Sequence, residues 1–220
     1  MKTSLYLLFI LLFGCNSRDP QTTQNDGTKV SNKEEKQGTT SLKNGDLIFH
    51  TSQSRQSQAI QLATNSKYSH MGIIYQKGNQ YFVYEAVQPV KITPLKTWIN
   101  RGEAGKYVVK RLKNAEELLT ASGIQKMKMI GKQHLNKDYD LRFEWSDNKM
   151  YCSELVWKVY KEAFNIEIGQ LERLGDFDLS DPIVQQKLKE RYGNQLPKEE
   201  LVITPDQMFN SEKLVLVEEK

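Results

Sequence analysis

The change of character near residue 44 limits what this chain can fold into more than any other feature. From Asn16 to Lys43 the sequence is largely Ser, Thr, Gln, Asn, Lys and Glu, with almost no apolar side chains. Such a stretch cannot bury enough surface to offset its ordering entropy, so residues 44–220 must supply the core of any domain. Ahead of it, Met1-Lys2-Thr3-Ser4 leads into an apolar run from Leu5 to Phe13 that ends at Gly14-Cys15. A basic start, a short apolar run and a small residue at the break predict a secretory signal peptide over residues 1–14. The run falls short of the roughly 20 apolar residues that a membrane-crossing helix needs.

Leu12-Phe13-Gly14-Cys15 has the form of a bacterial lipobox, in which the cysteine carries the lipid of the mature protein. The expectation is a lipid on Cys15 and a flexible tether over residues 15–43, holding a folded domain at a membrane of the bacterial cell envelope. That assignment matters because the chain has only 2 cysteines, too few for a disulfide-built scaffold and without paired CxxC spacing for a metal ribbon. No HExxH or other matched ligand spacing is present, so neither a metal nor a cofactor is expected. The 31 basic and 27 acidic residues are well mixed, which gives no support for a nucleic-acid partner.

Within the domain, Asn44-Gly45-Asp46 is a turn leading into the apolar run Leu47-Ile48-Phe49. Arg55 to Thr64 reads as a short amphipathic helix with Ala59, Ile60, Leu62 and Ala63 inward. Met71–Gln76 and Gln80–Ala86 flank Lys77-Gly78-Asn79 as a hairpin, and Tyr107–Arg111 is a further strand. The pattern predicts one helix from Ala115 to Leu135 and another from Tyr151 to Phe164, the latter with Leu155, Val156, Val159, Tyr160 and Ala163 at helical spacing. Thr204-Pro205-Asp206 starts a helix, and Leu214–Val217 closes as a strand. Residues 165–200 read as a helical or loop insertion. Strands and helices are segregated more than alternated, so the fold class is α+β.

With Cys15 lipidated, Cys152 has no disulfide partner, and an unpaired thiol in an exported protein stands out. It lies at the start of a predicted helix, where unpaired N–H groups and the dipole favour a thiolate. The bland reading is a buried cysteine packing as a small hydrophobe. A nucleophilic thiol needs a base, and there are three histidines. His70 begins the hairpin, His50 ends the first strand as a rival, and His134 sits at a polar helix end as a structural residue. Glu85 closes the hairpin's second strand, so antiparallel pairing puts it at the same end as His70, ready to orient an imidazole. Tyr68 or Tyr151 would add a side-chain donor for substrate.

Together, Gly45-Asp46-Leu47-Ile48-Phe49, Tyr68-Ser69-His70-Met71-Gly72, Glu85-Ala86 and Tyr151-Cys152-Ser153-Glu154-Leu155-Val156-Trp157 resemble the YiiX-like branch of the permuted papain-like cysteine hydrolases. That branch is grouped with the wider NlpC-type superfamily. The stretch Glu85-Ala86-Val87-Gln88-Pro89-Val90, with Thr93-Pro94-Leu95 and Trp98-Ile99, strengthens the likeness. The resemblance implies a circularly permuted papain-like fold over residues 44–220, a small antiparallel sheet or barrel against helices with the nucleophile at a helix N-terminus. It also implies Cys152 as nucleophile, His70 as base and Glu85 as orienting acid, cleaving an amide in cell-wall peptide or a lipid-linked amide through a thioester. The alternatives are a lipid-directed acyl hydrolase or acyltransferase, and a non-catalytic envelope binding lipoprotein.

Overall fold

The computed structural model describes residues 42–220; the apolar leader, Cys15 and almost all of the polar stretch lie outside the described residues. Leu42, expected to belong to the tether, is already buried, and its carbonyl accepts the Tyr81 hydroxyl at 3.1 Å.

The centre is one six-stranded sheet, wholly antiparallel, from strands β1 (Leu47–His50), β2 (His70–Lys77), β3 (Gln80–Glu85), β4 (Lys91–Pro94), β5 (Val108–Leu112) and β10 (Leu214–Glu219). Their spatial order is β10-β5-β1-β2-β3-β4. Successive side chains along a strand face opposite sides, so each strand feeds two cores. Leu47, Phe49, Met71, Ile73 and Tyr84 face the main core, while Ile48, Ile74, Val83 and Val109 meet Trp98 on the other side. Trp98 comes from α2 (Leu95–Ile99), a single helical turn after β4. The mixture of an antiparallel sheet and packed helices is the α+β architecture expected from the sequence.

The main core is closed by α5 (Cys152–Phe164), where Leu155, Val156, Val159, Tyr160 and Ala163 are all buried. Against it packs α4 (Ala121–His134). The single helix expected over Ala115–Leu135 is two: α3 (Ala115–Leu118) ends before Thr120, whose side chain caps α4 by accepting the Gly123 N–H. A hydroxyl that satisfies an otherwise unpaired first-turn N–H starts a new helix there. Helix α1 (Arg55–Thr64) has the expected bounds, but Leu62 is exposed and Ser57 is buried in its place. The segment 165–200 forms a short strand β8 (Glu172–Arg173) and helix α6 (Pro182–Tyr192), which packs on α1. Helix α7 (Pro205–Phe209) is capped by Thr204, as read from the sequence.

Two short strands, β6 (Asp138–Tyr139) and β7 (Lys149–Met150), pair in parallel. Their pairing sets Tyr139 beside Met150, two residues ahead of Cys152. Strand β9 (Leu201–Val202) pairs with β8.

Candidate active site

Helix α5 begins at Cys152, and Tyr151 is its N-cap. The Glu154 side chain accepts the Tyr151 N–H, which leaves the first-turn N–H groups of α5, those of Cys152 and Ser153, without intrahelical acceptors. Cys152 is buried and unpaired.

His70 opens β2 directly opposite His50 of β1. Its Nε2 lies 2.7 Å from Glu85 Oε2, and the ring is also hydrogen-bonded to Cys152, which leaves Nδ1 as the nitrogen for the thiol. Hairpin geometry makes this meeting possible, since Ile73 pairs with Tyr84 and so brings Glu85 level with Gly72. Gly72 is needed there: a Cβ would stand 2.4 Å from Val83 Cγ1 and 2.7 Å from the Tyr84 carbonyl oxygen, the strand that delivers Glu85.

Glu85 is fully buried, and an ionised carboxylate in that position requires partners. It has three: His70, the Thr93 hydroxyl at 2.5 Å and the Arg101 guanidinium at 2.5 Å. Burial would raise its pKa, but these partners win and hold it down to about 2. For His70, burial favours the neutral ring, yet the hydrogen bonds to Cys152 and Glu85 push its pKa up to about 9. The arrangement therefore holds an imidazolium between the Cys152 sulfur and a carboxylate.

The other histidines differ. His50 stacks on Trp98 with ring centroids 4.0 Å apart, and among the described residues neither of its ring nitrogens has a hydrogen-bond partner. Burial, then the neighbouring His70 and Arg101, depress its pKa to about 3, so it stays neutral. Gly102 lies against it; a Cβ there would meet His50 Nδ1 at 2.4 Å. His134 is buried beside Lys137, away from the thiol, with its pKa lowered to about 4.

Two cavities flank the Cys152–His70 pair. On the Cys152 side is a cavity of about 80 Å³ with an apolar wall that includes Ala59, Phe143, Phe177, Val184 and Val202. On the His70 side is one of about 400 Å³ lined by His70, Arg101, Gln88, Ser52 and Ser69. Gln56, Ile60 and Tyr139 belong to both walls. Gln56 Nε2 donates to the Tyr139 hydroxyl at 2.9 Å, so this pair forms a partition between them. Burial, together with the adjacent Cys152, keeps the Tyr139 hydroxyl protonated well above its ordinary range.

The two tyrosines expected to bind substrate are held by neighbours, and Tyr151 also lines the cavity at Cys152. Tyr68 packs against Phe49 and Phe209, and the Tyr151 hydroxyl accepts the Ile203 N–H at 3.1 Å. Sequence reasoning missed Arg101 and Tyr139. Neither had a local signal: Tyr139 meets Gln56 from 83 residues away, and Arg101 meets Glu85 from 16 residues away.

A family model of the permuted papain-like amidases, the YaeF/YiiX or C92 family, matches residues 41–218. The chain belongs to this family. Its match runs through residues 165–200, so helix α6 lies within the span shared with the permuted papain-like amidases. The chain is 49% identical over 173 residues to a protein of Escherichia coli (strain K12) named "Uncharacterized protein YiiX", covering 79% of this chain and 84% of that one. It also superposes with a TM-score of 0.78 and 48% identity on the crystal structure of a metalloprotein, yiiX, from Escherichia coli O157:H7, covering 82% of this chain and 98% of that chain. At the level of this family of amidases, the chemistry is that of a cysteine hydrolase. The word metalloprotein describes that relative; among the described residues here, no group of three or more His, Cys, Asp or Glu side chains is arranged to hold a metal ion. The described residues around Cys152 therefore do not fit a metal site.

Proposed function

We propose that this protein is a cysteine amidase that opens an amide bond through a thioester on Cys152. The observation that carries the reading is the chain of contacts from Cys152 through His70 to a Glu85 fixed by Thr93 and Arg101. His70 holds the proton taken from Cys152, so Sγ attacks the carbonyl carbon as a thiolate, and the developing oxyanion is met by the first-turn N–H groups of α5, donors whose removal from such sites typically costs about 10²–10³ in rate. The His70 imidazolium gives its proton to the amine as the C–N bond breaks. A water then attacks the thioester, with His70 taking its proton and Cys152 leaving as the sulfur group.

We assign the substrate to envelope peptide, with Cys15 as a lipid anchor and residues 16–41 as the tether that keeps the domain near its polymer. The signal-like leader and the lipobox form of Leu12–Cys15 support that address. A lipid-directed acyl hydrolase is the second reading, favoured by the apolar wall beside Cys152. The size of that cavity, about 80 Å³, supports the first: it suits a short apolar group, a volume on the order of several waters.

Incubating the protein with purified murein peptides and, separately, with phospholipids, followed by mass spectrometry, distinguishes the two. The expected result is cleaved peptide, an acyl adduct of matching mass on Cys152, and loss of turnover by at least about 10³-fold in Cys152→Ala. Unchanged turnover in that variant would overturn the assignment, and phospholipid products alone would favour the second reading.

A further inference from the structure

In the amidase reading the carbonyl half of the substrate becomes attached to Cys152, and the amine half receives the His70 proton. The two halves are therefore handled by different members of the pair, and each member lines its own cavity. The cavity at Cys152 is apolar and the cavity at His70 is polar, so the site distinguishes the halves chemically.

Most polar groups of the His70-side cavity are committed. Gln88 accepts the Tyr139 N–H at 2.7 Å and donates to Asp138 at 2.5 Å. The Ser69 hydroxyl oxygen accepts the Ser52 N–H at 3.0 Å and is bonded to Ser57. Gln56 is held by Tyr139. Arg101 differs: among the described residues it is the only Lys or Arg in this wall, and its side chain makes one hydrogen bond, from Nη2 to Glu85. A guanidinium has five N–H donors, and this cavity-lining side chain is 39% exposed, so it keeps donors beyond the one given to Glu85. Glu85 is already joined to His70 and Thr93, which leaves Arg101 capacity beyond holding that carboxylate. Arg101 Nη2 and His70 Nε2 bind the two oxygens of the same Glu85 carboxylate, Oε1 and Oε2, so the guanidinium and the imidazole ring are neighbours across it.

We propose that the polar cavity is the leaving-group site and that Arg101 binds a carboxylate on the amine half of the substrate. The substrate class is then an amide whose released amine is an amino acid, or a peptide carrying a carboxylate next to its new amino terminus, joined to a short apolar acyl group. This inference rests on the amidase reading, because only that chemistry puts an amine beside His70. A bidentate guanidinium–carboxylate pair is the geometry that such a fork suits.

The experiment compares N-butanoyl-L-alanine with N-butanoyl-L-alaninamide, which differ only in the charge of the leaving half. The unmodified protein is expected to prefer the acid by about tenfold or more in kcat/KM. Arg101→Gln is expected to remove that preference, chiefly by raising KM for the acid, and Arg101→Lys to restore part of it. Equal losses on both compounds in Arg101→Gln would mean that the arginine acts only through Glu85, and would overturn the inference. Calorimetric binding of the two compounds to the Cys152→Ala protein reads the same preference without turnover. Equal affinities there would also overturn it. Acid-selective binding, lost on adding Arg101→Gln, with no hydrolysis of either compound by the unmodified protein would sink the amidase reading while the carboxylate site stood.

Discussion

Glu85 shows how one buried charge is made tolerable and then useful. Desolvating a carboxylate costs several kcal/mol unless it is paired and its remaining lone pairs are filled. Here the imidazolium, a hydroxyl and a guanidinium all converge on it. The hydrogen bond to Cys152 and this pairing together hold the proton on His70 up to about pH 9, so the acid that must serve the leaving amine is present at neutral pH. The pH profile of kcat/KM is therefore expected to fall on the alkaline side near 9, because the profile reports groups of the free protein. Replacing Glu85 by Gln removes the charge that favours the imidazolium, so the limb should move down toward the ordinary histidine value of 6.5. An alkaline limb that stays in place in Glu85→Gln would show that the titrating group is not His70.

At the scale of elements, legibility followed length and periodicity. Helix α5 was readable because five apolar residues recur along its buried face, and the β2–β3 hairpin because a Gly at positive φ, Gly78, marks its turn. Those two elements carry Cys152, His70 and Glu85, so the heart of the site came with them. Strand β4 and helix α2 are four and five residues long, too short for a period to emerge, and Trp98 and Arg101 went unread with them. Tyr139 was missed for another reason: its partner Gln56 is 83 residues away, a tertiary contact without a local signature. Helix α6 read only as an insertion because its outward face is polar; Val184 alone on it is fully buried. That valine is also part of the wall beside Cys152. Val184→Ala should cost about 1–2 kcal/mol in urea unfolding by lost burial. It should also enlarge the apolar cavity, so that the preferred N-acyl group in competition assays lengthens by about one methylene, a change worth roughly tenfold or more in kcat/KM. An unaltered chain-length preference in a folded Val184→Ala protein would mean that this cavity does not take the acyl group.

Across the whole molecule, the buried titratable groups pull stability in opposite directions, and their balance sets an optimum. His50 and His134 are held neutral, at about 3 and about 4, so the unfolded chain binds their protons first as pH falls below 6.5. Each therefore makes stability rise with pH over that range. Glu154 behaves oppositely: burial, only partly offset by Lys158 at 2.9 Å, lifts it to about 7, so the folded form keeps a proton that the unfolded form has lost above 4.5. His70 joins it above 6.5, where the unfolded imidazole is neutral and the folded one stays charged until about 9. Glu85, held at about 2, loses its contribution only as pH falls from 4.5 toward that value. Between pH 4.5 and 6.5 two histidines act against one carboxyl, so these groups give a net rise of about 1.4 kcal/mol per pH unit. Above 6.5 the histidine gain has ended while Glu154 and His70 both work against the fold, so the slope reverses. Urea midpoints measured from pH 4.5 to 9 should therefore peak near pH 6.5. Removing one of the two histidines cancels the acid-side excess, and His134→Gln should flatten the profile below 6.5 while leaving the alkaline fall intact. A profile that rises steadily from 6.5 to 9 would mean that His70 does not carry its proton in the folded state, and the imidazolium between Cys152 and Glu85 would have to be abandoned with it.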